Sequence, residues 1–103
     1  MGKKVIYSVY IKVPPYSEFH VCTKEYEDSE APFFDGRAAG YQFYREYEGL
    51  GEIPSKAETF AAFAQAHPED VNNQLTWMKY YNQVINERIK ITVFPEGVIE
   101  DET

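Results

Sequence analysis

Leucine is nearly absent from this chain: Leu50 and Leu75 are the only two among 103 residues. Cysteine is down to one, Cys22, and histidine to two, His20 and His67. A lone cysteine cannot close an internal disulfide, which favours a reducing compartment. So few histidines and cysteines, none at zinc-like spacing, leave no metal-ligand set. No stretch approaches the roughly 18 apolar residues of a membrane-spanning helix. After Lys3 and Lys4 the residues alternate, so no secretory leader is expected and the chain reads as cytoplasmic. Gly36, Gly40, Gly49 and Gly51 fall in no phosphate-cradling pattern, and no cofactor is expected.

Rings and acids fill the space these absences leave. Nine tyrosines, seven phenylalanines and one tryptophan carry much of the apolar mass, in a chain with a formal net charge of −7. Stiff rings supply contact area at low entropic cost, and Tyr and Trp are enriched where proteins meet proteins. The acids are unevenly placed. Positions 1–17 hold three lysines and no acid, positions 18–52 hold nine acids against three bases, and the last eight residues hold four acids. Such a field opposes DNA, RNA and anionic lipid and favours a basic partner.

A length of 103 residues implies one domain, spanning 1–103, large enough for a core without staples. Lys4–Val13 alternates, with Val5, Tyr7, Val9, Ile11 and Val13 on one face, the signature of a half-buried strand. Pro14-Pro15 ends it. A second short strand is expected over Glu18–Lys24, with Glu18, His20 and Cys22 together on one face. An acidic loop at 25–32 follows. Asp35 reads as the N-cap of a helix that Gly49 and Gly51 stop. Ser55 and Glu58 form a capping box that opens a second helix, which Pro68 ends. A third helix over Glu69–Asn86 carries the stripe Val71, Leu75, Met78 and Ile85, widened by Trp77, Tyr81 and Val84. Arg88–Phe94 alternates again, and residues 100–103 form a frayed acidic tail.

The resulting fold class is α+β: a small antiparallel sheet of about three strands, in the order β-β-α-α-α-β, with three helices packed on one face. The first and last strands should be neighbours, because each has one apolar face and both must cover the same core. That face should meet Phe43, Phe63, Trp77 and Met78. The opposite face carries Ile6, Tyr10, Cys22 and Phe94, an apolar set that points to a homodimer.

Chemistry is harder to find. His20, Cys22 and Glu18 resemble the start of a Cys–His or metal site but lack convergent partners, so neither a catalytic nor a metal site is expected. The reading that follows is a non-enzymatic protein-binding module: an inhibitor, adaptor or regulatory subunit. Its acids would steer a basic partner, a nucleic-acid-handling protein among the candidates, with carboxylates imitating phosphates. Tyr41, Tyr80 and Tyr10 are the expected anchors, the first two because each falls on the polar side of its helix. Glu46, Glu48 and Glu52, with Glu25, Glu27, Asp28 and Glu30, are the expected steering charges. The alternative is a small enzyme or ligand-binding domain with a pocket lined by Tyr and Trp.

Overall fold

The computed structural model describes residues 3–100. It contains β1 (Lys3–Lys12), β2 (Phe19–Tyr26), α1 (Ala31–Tyr47), α2 (Lys56–Ala66), α3 (Gln74–Arg88) and β3 (Lys90–Glu100), with one 3-10 turn over Pro68–Asp70. Asp101 to Thr103, most of the expected acidic tail, lie outside the described residues. The strands form one antiparallel sheet in the order β2-β1-β3. The fold is α+β with the expected order of elements, and the first and last strands are neighbours.

β1 forms because its β-branched and aromatic residues alternate, and the odd side is the buried one. Val9, Ile11 and Val13 are fully buried. α1 crosses this face closely through two glycines: a Cβ on Gly36 would lie 2.7 Å from Ile91 Cγ2, and one on Gly40 would lie 2.6 Å from Ile89 Cγ2. α1 is the helix that lies on the sheet. α3 packs on α1 and α2 packs on α3, so the helical layer continues past the strand ends. The molecule is therefore long, 60 × 27 × 16 Å.

Where sheet and helices join, Val13, Tyr44, Ile53, Tyr81 and Ile85 form the core. The third helix turns its rings inward: Tyr81 and Ile85 are buried, whereas Met78 is 50% and Leu75 74% exposed. Of the expected stripe, Val71, Leu75 and Met78 thus lie outward, while Ile85 stays inside as expected. Phe63 and Trp77 meet between α2 and α3, centroids 5.5 Å apart and planes tilted by 49°, rather than on the sheet. The physical reason is area. Rings at 77, 80 and 81 bury more surface against α1 and α2 than Leu75 and Met78 would.

Other boundaries move as well. α1 begins at Ala31, four residues before Asp35, because Pro32 suits a first turn and Asp28 folds the entry. The Asp28 carboxylate accepts from the Glu30 N–H at 2.8 Å, and its carbonyl accepts from the Ala31 N–H at 3.2 Å. The acidic connection shrinks to 27–30. α3 starts at Gln74, capped by Asn73, whose side chain accepts from the Thr76 N–H at 3.2 Å. The capping box of α2 is present in both directions.

Candidate functional site

Two bulges shape the sheet face that the helices leave open. Pairing runs Val9 with Cys22 but Tyr10 with His20, so Val21 is an extra residue in β2. Likewise Ile6 pairs with Gly97 but Tyr7 with Pro95, so Glu96 is extra in β3. An extra residue reverses the side-chain alternation beyond it. Cys22 consequently shares the core-facing side with Val9, while His20 shares the open side with Tyr10. The expectation that Glu18, His20 and Cys22 point together is overturned, and a Cys–His pair is geometrically ruled out. Cys22 is also lost from the open apolar set Ile6, Tyr10 and Phe94. Its sulfur lies 3.3 Å from the Tyr26 hydroxyl instead.

On the open side the bulges align four polar groups. Ser8 Oγ donates to Glu96 Oε2 at 2.6 Å and lies 2.8 Å from Thr23 Oγ1, which is 2.6 Å from His20 Nε2. The His20 ring meets Tyr10 edge-on, centroids 5.4 Å apart. Two hydroxyl protons must serve three links, so the third comes from His20 Nε2–H, which donates toward Thr23. Ser8 then spends its proton on Glu96 rather than facing a base. Ladder N–H groups lie in the plane of a sheet, where they point at neighbouring strands and not at a substrate above the face. The arrangement holds three strands in register; it does not assemble a nucleophile, base and oxyanion donor.

The expected anchors occupy different settings. Tyr41 is half-buried against the core and donates to the Asn82 carbonyl at 3.3 Å. Tyr80 is half-buried beside Phe63 and His67. Both are less exposed than Met78, so the polar-side placement expected for them does not leave them open to solvent. Tyr10 is half-buried on the open sheet face.

The expected steering charges separate into two groups at opposite ends of α1, a 17-residue helix of about 25 Å. Glu27, Asp28 and Glu30 are exposed in the turn before it, with Glu25 close by at the end of β2. Glu46 and Glu52 are exposed at the far end. Glu48 is half-buried and accepts a hydrogen bond from the Tyr81 hydroxyl, which ties it to the core. Burial, then this carboxylate, pushes the Tyr81 phenol above its ordinary range.

The sequence reading missed two rings. Phe33 is 46% and Phe34 63% exposed, in the first turn of α1 directly after the acidic turn. Placing the helix start at Asp35 hid them; Pro32 was the available signal, since proline is favoured in a first turn. Beside them, Tyr26 donates to Asp35 at 2.6 Å, and Lys24 Nζ lies 3.2 Å from the same carboxylate oxygen.

Two further places carry chemistry-bearing groups. Phe60, Val71, Asn72, Gln74 and Trp77 line an open groove of about 320 Å³ between α2 and α3. Phe60 and Trp77 on its wall make it one place for the ring-lined ligand site of the alternative reading. His67, Glu69 and Asp70 bring potential ligand atoms within 4.8 Å of one another, but the His67 ring packs on Phe63 and Tyr80. No helix among the described residues is long and apolar enough to cross a membrane. No protein-family model matches this chain, and neither curated proteins nor solved structures show a match to it.

Proposed function

We propose that this chain is a non-catalytic protein-binding module, an inhibitor, adaptor or regulatory subunit, that docks on a basic protein surface through the start of α1. One observation carries the reading: Phe33 and Phe34 stand exposed immediately after Glu27, Asp28 and Glu30. Exposed rings supply anchoring area, and adjacent carboxylates steer the encounter with a basic partner. Tyr10 remains a candidate contact on the open face, and Glu46 with Glu52 a second steering group. Tyr41, Tyr80 and Glu48 have internal partners that compete with docking. Proteins that handle nucleic acid present basic surfaces of the kind this turn would seek. A cytoplasmic setting belongs to the same proposal and is supported by the free thiol of Cys22.

The test is affinity capture by the tagged chain at low and high salt, with mass spectrometry of what is retained. A partner held at low salt should be lost from the Phe34→Ser variant and from a variant neutralised at Glu27, Asp28 and Glu30. Unchanged capture by both variants sinks the reading and moves the groove at Trp77 ahead.

A further inference from the structure

The end of α2 gathers metal-ligand chemistry that the docking surface does not use. His67 closes α2, and Pro68–Asp70 form the 3-10 turn that leads on toward α3. One nitrogen of His67 and one carboxylate oxygen each of Glu69 and Asp70 lie within 4.8 Å of one another. Bonds of about 2.1 Å to an ion place its ligands about 3–4 Å apart, so a small rotation of the exposed Glu69 side chain closes the set. Among the described residues, these three side chains make no hydrogen bond or ion pair that an ion would have to displace.

Backbone and rings hold the donors in place. The Asp70 N–H donates to the His67 carbonyl at 3.0 Å, and the Asn73 N–H donates to the Asp70 carbonyl at 2.8 Å. Pro68 fixes the backbone between His67 and Glu69. The His67 ring lies against Phe63, which is fully buried, and against Tyr80, with centroids 5.6 and 6.0 Å away. Packing on two rings restricts the imidazole while one of its nitrogens stays beside the carboxylates. A ligand oriented in this way loses little freedom when it binds an ion.

Charge favours a cation here. α2 ends at His67, where the helix dipole is negative, and no basic residue occupies its last turn. Glu69 and Asp70 add two like charges beside it, in a chain of net charge −7. The donor set narrows the class of ion. Ca²⁺ and Mg²⁺ favour oxygen ligands, whereas an imidazole with two carboxylates suits a borderline ion such as Zn²⁺. Zinc-like spacing of His and Cys does not reveal such a set, because two of its three ligands are acids and all three fall within one turn.

We propose that His67, Glu69 and Asp70 bind a divalent transition ion of the zinc class, with water completing its coordination. The ion fastens the end of α2 to the turn that enters α3. The site stands on other elements than the docking surface at Phe34 and does not depend on that reading.

Two titrations of the full chain, free of any histidine tag, test it: Zn²⁺ by calorimetry and Co²⁺ by tryptophan fluorescence. Trp77, the single tryptophan, lies against both rings that flank His67, 5.5 Å from Phe63 and 6.4 Å from Tyr80, so bound Co²⁺ should quench it. One ion per chain is expected, and Zn²⁺ should raise the thermal midpoint as its concentration rises. His67→Gln should weaken binding by more than about tenfold. The paired variant Glu69→Gln, Asp70→Asn should do the same, and it leaves the packed His67 ring in place. His20→Gln, at the other histidine, and Cys22→Ser should bind as the wild type does. A wild-type chain that takes up no Zn²⁺ overturns the proposal. So does binding unchanged in either ligand variant, binding that His20→Gln or Cys22→Ser removes, or Ca²⁺ held as tightly as Zn²⁺.

Discussion

The Tyr26 hydroxyl donates to the Asp35 carboxylate at 2.6 Å, fastening the end of β2 to the second turn of α1. That hydrogen bond, joined by the Lys24 ammonium, holds the Asp35 carboxyl below its ordinary value of 3.8, and burial opposes it only in part. Burial, and then Asp35, push the Tyr26 phenol upward.

A consequence for acid stability follows from the depressed carboxyl. The folded chain holds fewer protons at Asp35 than the unfolded chain does when pH falls through the ordinary carboxylate range. The contribution is therefore fully present above about pH 4 and is lost as pH drops through the lower, folded value. Asp35→Asn should lower stability at neutral pH and make urea midpoints fall less steeply from pH 5 to pH 2. An unchanged pH profile would show that the ion pair is solvated away.

Tyr44 offers the opposite experiment. Its ring is fully buried in the core, and its hydroxyl is buried with no hydrogen-bond partner among the described residues. Burial pushes its phenol up, and the Arg88 charge offsets this in part. An unsatisfied buried hydroxyl costs about 1–3 kcal/mol. Tyr44→Phe should therefore raise stability, by about 1 kcal/mol after the loss of favourable dipole contacts. Denaturant unfolding of the two proteins reads the difference, and a clear loss of stability in the variant would reveal a partner for that hydroxyl.

Gly40 sets helix propensity against packing. Alanine in mid-helix gains about 1 kcal/mol over glycine. Here its Cβ would stand 2.6 Å from Ile89 Cγ2 and 2.8 Å from Ile89 Cδ1. Overpacking typically costs about 1–3 kcal/mol, so packing wins and Gly40→Ala should be less stable by about 1 kcal/mol. Ile89→Val in the same chain should recover part of the loss, a coupling that a double-mutant cycle measures.

The capping box of α2 gives a local prediction. Ser55 accepts from the Glu58 N–H at 3.1 Å, and Glu58 Oε1 accepts from the Ser55 N–H at 3.5 Å. Ser55→Ala should cost about 1 kcal/mol of stability, whereas Ser55→Asp should cost little. Thermal unfolding followed at the single tryptophan, Trp77 in the adjoining helix, is the direct measurement.

Legibility in the sequence followed how local the determining physics is. The alternation of β1 was readable because each residue's face depends only on period two. Ser55 and Glu58 were readable because a capping box is a contact over three residues. β2 was not, since Val21 bulges only in answer to the register with β1, and no residue within the strand announces it. β3 runs to Glu100 past Pro95 because it is an edge strand, where a missing N–H can face outward. The rotation of α3 was hidden for a different reason. Its rings and its aliphatics both make acceptable stripes, and the choice rests with Phe63 on α2 and Tyr44 on α1. Tyr41 and Tyr80 were misjudged for the same reason: a polar-looking helix side became a seam once a neighbour arrived. Phe33 and Phe34, the most exposed rings of the candidate surface, depended on a helix start with no side-chain cap at Glu30.

Strand order also governs when the fold can be completed. Among the elements of this fold the central strand is synthesised first, and one of its two neighbours last. Lys12 must find Lys90, and Lys4 must find Ile99, across nearly the entire chain. Contacts of such sequence separation slow folding, because a large loop is closed before they repay it. During synthesis one edge of β1 therefore stays unpaired while every helix is already made, with Val9 and Ile11 sheltered on one flank only. α1, seated on that strand through Gly36 and Gly40, is the element available to shield those side chains during the interval. A nascent chain halted before Lys90 should be the most aggregation-prone length this protein passes through.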